Sequence, residues 1–188
     1  MINDITEKLK AMLSPKRYMH SLGVRDTAVK LAKLYGTDED KAAIAGLIHD
    51  CAKGLSDELL LKIAREIGIE TQGIYEKQPE LLHGPAGTYM AKKDFKIEDE
   101  EILHSIMCHT TGCENMSLLD KIIYIADYIE PNRSFPGLEE LRKAAFRDID
   151  EAMLLALDNT IKHVINKKQM IDIQTIKARN YILYNYFK

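Results

Sequence analysis

The sequence predicts an all-α protein with a single domain. Apolar residues recur every three to four positions along almost the whole chain, and no segment shows the strict alternation of a half-buried strand. The 188 residues suffice for one hydrophobic core and are few for two, and neither a repeat nor a linker divides them. We therefore expect one helical domain over residues 1–188, with a core at about 15–130 and C-terminal helices at about 138–187 packing on it.

Capping residues and apolar spacing predict each helix in turn. Ser14 is a typical N-cap and Pro15 a typical first helical residue, so a long helix should begin there and end near Gly36. Gly54 and Gly68 are expected to close the two helices that follow. Residues 69–79 should form a loop, with a helix restarting behind Pro85. The other helices are expected at about 3–13, 38–52, 56–67, 98–110, 117–129, 138–146, 149–166 and 172–187.

Composition excludes several classes of protein. With 26 basic and 29 acidic residues the net charge is -3, and no basic block is longer than a pair, which argues against a nucleic-acid-binding surface. No run approaches 18 apolar residues, and the N-terminus carries acidic residues and lacks the continuous apolar core of a signal peptide, so we expect a cytoplasmic protein without a membrane segment. Three cysteines without CxxC spacing argue against a disulfide framework or a zinc knuckle and suit a reducing compartment.

Several polar residues fall on helix faces that should be buried. His20 lies in line with Val24 and Leu31, and His49 and Asp50 end the small apolar run 42–48. Asp127 continues the line of Leu119 and Ile123, and His109 that of Ile102 and Ile106. His104 lies about 140° from His109 and His163 has no carboxylate nearby, so both are expected to be structural or exposed.

An unpaired buried carboxylate costs several kcal/mol, and the nearest basic residues in sequence offer little to Asp127. A shared metal ion would satisfy both aspartates and both histidines, and imidazole and carboxylate donors suit Fe, Mn, Co or Zn. His49 and Asp50 lie about 100° apart on a helix, so other helices must complete the site. The small residues Ala42, Ala45 and Gly46 would let those helices approach closely.

The ordered set His20, His49-Asp50 and Asp127 resembles the H...HD...D signature of the HD superfamily, which comprises all-helical metal-dependent phosphohydrolases. The segments "RYMHSLGVRDTAVKLA", "AGLIHDCAKG", "HGPAGTYMA", "CHTTG" and "SLLDKIIYIADYIEPNRSFPG" resemble more specifically the YqeK family of bacterial symmetrical diadenosine tetraphosphate hydrolases. They span most of residues 17–143. The fold implied is an HD-type helical bundle.

This resemblance implies hydrolysis of diadenosine tetraphosphate to two ADP molecules, with hydroxide on a bound metal attacking phosphorus and iron as the metal. It makes His20, His49, Asp50 and Asp127 metal ligands and gives Asp50, His83 and His109 catalytic roles. Residues that match positions around the nucleotide phosphates are Lys53, His83, His109, Thr110 and Arg133.

Some questions stay open at this point. His83 is expected to contact phosphate, to ligate a second ion or to protonate the leaving group, and Asn180 is a weak candidate for the nucleoside pocket. The aromatic segment "NYILYNYFK" would line a homodimer contact or pack back on the domain. Competing functions are an HD phosphohydrolase for mononucleotides, triphosphates or cyclic dinucleotides, a nucleotide-binding module without turnover, and a metal-free scaffold.

Overall fold

The computed structural model describes residues 2–186. Within them the chain forms helices and no strand, which confirms the all-α prediction. A short 3-10 helix, Pro79–Leu82, precedes the sixth α-helix. The α-helices are α1 (Ile2–Met12), α2 (Pro15–Tyr35), α3 (Glu39–Ile48), α4 (Asp57–Glu66), α5 (Ile74–Lys77), α6 (His83–Phe95), α7 (Glu100–Cys108), α8 (Leu118–Ile129), α9 (Leu138–Ala145), α10 (Ile149–Asn166) and α11 (Ile173–Tyr186).

The helix ends follow the capping chemistry of the sequence. The Ser14 side chain accepts a hydrogen bond from the backbone of Arg17, and Gly36 closes α2 in the left-handed conformation. Ser117 begins α8 with a capping box, in which Asp120 bonds back to the Ser117 backbone. These local bonds satisfy backbone donors that the helices themselves leave without partners.

Three boundaries differ from the sequence expectation. The helix expected at 38–52 ends at Ile48, because the His49 ring bonds to the Gly46 carbonyl and tight turns follow. The expected loop at 69–79 contains α5 and the start of the 3-10 helix. The helix expected behind Pro85 already begins at His83, since proline in the first turn removes only a donor that would have no helical partner.

The central layer consists of α2, α3, α7 and α8. α2 packs along α3 and α8, and α7 contacts α3, α6 and α8. A Cβ at Gly46 would lie 3.0 Å from the Arg25 Cα atom, so α2 and α3 approach more closely than larger residues would allow. In the described part, no helix combines the length and apolar character that a bilayer crossing requires.

Gly84 sets the spacing between α6 and α7. A Cβ there would lie 2.8 Å from the Met107 carbonyl oxygen, which belongs to rigid helical backbone. We expect Gly84→Ala to lower the free energy of unfolding by about 1–3 kcal/mol through overpacking. Chemical denaturation measures this loss. Gly54→Ala is the matched control, since no described atom lies within 4 Å of its added Cβ; equal stability of both variants would contradict the packing argument.

Candidate metal centre and substrate cleft

The structure brings together the six histidine and aspartate side chains that were expected to form the site. His20 comes from α2, and His49 and Asp50 follow the end of α3. His83 is the first residue of α6, His109 directly follows α7, and Asp127 lies in the last turn of α8.

Backbone hydrogen bonds fix the orientation of three imidazole rings. The Nδ1 atoms of His49, His83 and His109 lie 2.8, 2.5 and 2.7 Å from the carbonyl oxygens of the third residue before each. A carbonyl only accepts, so each Nδ1 carries the proton and each Nε2 presents a lone pair. This is the tautomer in which a histidine can bind a metal through Nε2.

Asp50 lies between two pairs of imidazoles. Its Oδ2 atom is 3.7 Å from His20 Nε2 and 3.8 Å from His49 Nε2, while its Oδ1 atom is 3.3 Å from His83 Nε2 and 3.6 Å from His109 Nε2. The ligand atoms of Asp50 with each pair lie within 4.8 Å of one another. One carboxylate thus belongs to two adjacent groups of nitrogen and oxygen donors.

Asp127 completes the first of these groups. Its Oδ1 atom lies 3.0 Å from His20 Nε2 and 3.8 Å from His49 Nε2. The other His20 nitrogen, Nδ1, lies 3.1 Å from the buried Glu130 carboxylate. A carboxylate behind an imidazole orients the ring and increases its basicity.

The electrostatics of this group suit a divalent cation. Burial lowers the pKa of His49 to about 4, so its ring is neutral at pH 7. Burial alone would raise the pKa of Asp50, but the neighbouring His49 and His109 hold it well below its usual range. Among the described residues, His49 Nε2 is buried without a hydrogen-bond partner. A buried imidazole lone pair beside ionised carboxylates is a donor set that binds a metal ion. These residues therefore fit a divalent cation.

The expectation that basic residues offer little to Asp127 is wrong. The turn after α8 folds Arg133 back, so that its Nε donates to the Asp127 carbonyl at 2.9 Å and its Nη2 contacts the carboxylate. Arg17 Nη1 donates to Asp50 Oδ2 at 2.6 Å. Arg17 is three residues before His20 on α2, a spacing that could have indicated it.

Lys53 and Thr110 contact the second group of donors, which consists of Asp50, His83 and His109. Lys53 Nζ is 3.2 Å from both ring nitrogens of His83, and burial lowers its pKa. Thr110 Oγ1 is 2.9 Å from His83 Nε2 and 3.1 Å from His109 Nε2. The phosphate-binding residues that the resemblance implied are therefore assembled around the same centre.

The site opens into a cleft of about 720 Å³. One part holds the cations Arg17, Lys53 and Arg133. Another part is aromatic, where the Tyr128 and Phe135 rings meet edge to face with centroids 5.4 Å apart. Asn180 is not among the lining residues. Polar and charged residues of α10 also line the cleft, namely Asn159, Thr160, Lys162, His163 and Asn166.

Comparison with known proteins identifies the family. A family model described as "HD domain" matches residues 17–132. The chain is 45% identical over 175 residues to the symmetrical bis(5'-nucleosyl)-tetraphosphatase of Halalkalibacterium halodurans, and the match covers 93% of each chain. The chain belongs to the YqeK family of HD domains. HD domains bind divalent metals, and the convergent histidines and aspartates of this YqeK protein are consistent with that property.

Further relatives confirm the fold. The YqeK chain is 38% identical over 175 residues to the enzyme of the same name from Bacillus subtilis, with 93% of this chain and 94% of the relative covered. A crystal structure described as an HD superfamily hydrolase involved in NAD metabolism, from Clostridium acetobutylicum, superposes with a TM-score of 0.95 at 52% identity over 98% of both chains. The single-domain HD-type helical bundle is thereby confirmed.

Proposed function

We propose that the protein hydrolyses diadenosine tetraphosphate symmetrically to two ADP molecules, in the cytoplasm and with iron as its metal. The observation that carries the proposal is the convergence of the imidazole and carboxylate groups beside a cleft that four cationic side chains line, namely Arg17, Lys53, Arg133 and Lys162. The curated relatives that cover most of the chain carry the name of this activity. A combination of imidazole and carboxylate donors suits Fe(II), and also Mn(II), Co(II) and Zn(II).

Each residue of the centre then has a defined task. His20, His49, Asp50 and Asp127 would hold the metal. When bound, a divalent ion polarises a phosphoryl oxygen and lowers the pKa of water from 15.7 toward about 7. Glu130 keeps the His20 ring in place through its 3.1 Å contact with Nδ1.

We further propose that His83 and His109, with Asp50, hold a second ion. Their Nδ1 protons are committed to carbonyl oxygens, and their Nε2 atoms lie 3.0 Å apart. Two lone pairs at this separation repel each other unless a cation or a proton lies between them. The Asp50 Oδ1 atom faces the same point and supplies the negative charge that a cation needs.

The basic side chains are proposed to bind the phosphate chain. A tetraphosphate carries several negative charges, and charge-assisted hydrogen bonds from guanidinium groups to phosphate are stronger than hydrogen bonds between neutral groups. Arg17 and Arg133 each contact a metal-site aspartate and line the cleft, so they lie within reach of a phosphate bound there. Lys53 and Thr110 serve the same purpose beside His83.

The aromatic part of the cleft is proposed to receive a nucleobase. Tyr128 packs against both Tyr124 and Phe135, with ring centroids 6.3 and 5.4 Å away. Aromatic faces stack on bases of any sequence, and each stacked base contributes about 1–3 kcal/mol. The amide groups of Asn159 and Asn166, which line the same cleft, can donate to and accept from a base edge.

Product analysis tests the function. Protein loaded anaerobically with Fe(II) should convert diadenosine tetraphosphate to ADP alone, as measured by ion-exchange chromatography. Equal amounts of AMP and ATP would contradict symmetrical cleavage. Turnover of mononucleotides or cyclic dinucleotides in its place would favour another HD phosphohydrolase activity, and tight ADP binding without turnover would favour a binding module.

Lys53→Met tests the proposed phosphate contacts. The change removes the charge and keeps the length of the partly buried side chain, so kcat/KM for the tetraphosphate should fall about 10²-fold. Lys62→Met, on the exposed face of α4, is the matched control and should keep normal activity. Steady-state kinetics measure both variants, and equal kcat/KM values would remove Lys53 from the site.

A further inference from the structure

A second set of metal-ligating side chains lies outside the histidine and aspartate centre. It consists of His104, Cys108 and Cys113, whose ligand atoms all lie within 4.8 Å of one another. His104 Nε2 is 3.8 Å from Cys108 Sγ and 4.0 Å from Cys113 Sγ, and the two sulfur atoms are 2.6 Å apart. None of the three has a role in the proposed reaction.

Local structure explains why these residues meet. His104 and Cys108 are four residues apart on α7 and therefore share one face of the last turn. The Gly112 N–H donates to the Cys108 carbonyl at 2.8 Å, and Gly112 adopts a φ of 70°, in the left-handed region. This conformation favours glycine and turns the chain so that Cys113 returns to the end of α7.

A buried carboxylate supports the histidine from behind. His104 Nδ1 donates to Asp120 Oδ2 at 2.8 Å, so the lone pair of Nε2 is on the side of the two sulfur atoms. Asp120 is itself buried and held by the Ser117 backbone N–H at 2.8 Å. A carboxylate that fixes the tautomer of an imidazole is the usual second layer of a zinc site.

We propose that His104, Cys108 and Cys113 bind a thiophilic divalent cation of the zinc class. Two sulfurs and one imidazole form a softer donor set than the histidines and aspartates of the main centre, so the two sites should select different ions. Binding releases one proton from each thiol and forms two sulfur–metal bonds. Zn–S bonds of about 2.3 Å require a wider sulfur separation, which rotation of the partly exposed Cys113 side chain provides.

Solvent would supply the fourth ligand, because the His104 side chain is half exposed. The bound ion would join the end of α7 to Cys113 and thereby close the loop that carries His109 and Thr110. The site itself does not depend on the proposed reaction, since none of its ligands belongs to the main centre.

Cadmium titration tests the proposal with a probe that reports thiolate ligands directly. Reduced, anaerobic wild-type protein should develop a thiolate-to-metal charge-transfer absorption that saturates at one Cd²⁺ per chain and is competed away by Zn²⁺. Cys113→Ser should lose this absorption, and His104→Gln should weaken Cd²⁺ binding at least about tenfold. Cys51→Ala is the matched control and should keep the absorption, because Cys51 lies outside the group.

Three results would overturn the assignment. They are the absence of the absorption in reduced wild-type protein, its persistence in Cys113→Ser, and a Cys108–Cys113 disulfide in protein purified under reducing conditions. None of these depends on nucleotide turnover, so the outcome is separate from that of the product analysis.

Discussion

Asp50→Asn is expected to reduce hydrolysis of diadenosine tetraphosphate by at least about 10³-fold. Asp50 is the one side chain of the described centre that faces both imidazole pairs, through different oxygen atoms. Asparagine keeps the shape but replaces a charged oxygen by an amide nitrogen, which is a poor ligand. Steady-state kinetics and elemental analysis of the same preparation should show loss of activity together with loss of metal.

Asp26→Asn is the control for this substitution. Asp26 is an exposed residue of α2 that pairs with Arg25, so its variant should retain both activity and metal. Asp50→Asn also removes the charge partner of Arg17, and circular dichroism establishes that the variant is folded. A folded Asp50→Asn protein with normal turnover would contradict the metal-dependent mechanism.

Removal of the metal is the second change with a large expected effect. The proposed ligands come from separate segments of the chain, so the site does not exist in the unfolded protein and binding stabilises the native state. An ion present at 100 to 1,000 times its Kd contributes about 2.7–4.1 kcal/mol. For a chain of this size each kcal/mol corresponds to about 2–4 °C, so a strong chelator should lower Tm by about 5–15 °C and abolish activity.

This experiment is clearest in the Cys113→Ser background, which lacks the proposed thiol site. Added Fe(II) or Mn(II) should restore Tm and activity together in that protein. The double variant with Asp50→Asn should not respond to chelation. An unchanged Tm after complete removal of metal from the single variant would show that the centre contributes nothing to stability.

Helical periodicity predicted part of the site because those residues interrupt apolar stripes. His20, His49 and Asp127 each share a helix face with apolar residues at helical spacing, and the structure places them together. His83 and Thr110 lie on no such stripe and were indicated only by the family resemblance. Their position depends on how α6 meets α7, which is a long-range contact that no local pattern encodes.

Other features could not be found from local patterns. Arg133 reaches Asp127 because the chain turns back after α8, and the sequence shows the turn but not its direction. Glu130 lies outside the apolar repeat, so no local pattern indicated its burial beside His20. Cys108 and Cys113 lack metal-binding spacing and meet only because Gly112 reverses the chain.

We infer that His20, His49, Asp50 and Asp127 hold a common divalent cation. Anomalous diffraction from crystals of the metal-loaded protein, recorded on both sides of the iron absorption edge, tests it most directly. We predict a strong difference peak in contact with these four side chains that disappears in Asp50→Asn. Fully loaded crystals without a peak at that point, or with their peak elsewhere in the molecule, would contradict this ligand assignment.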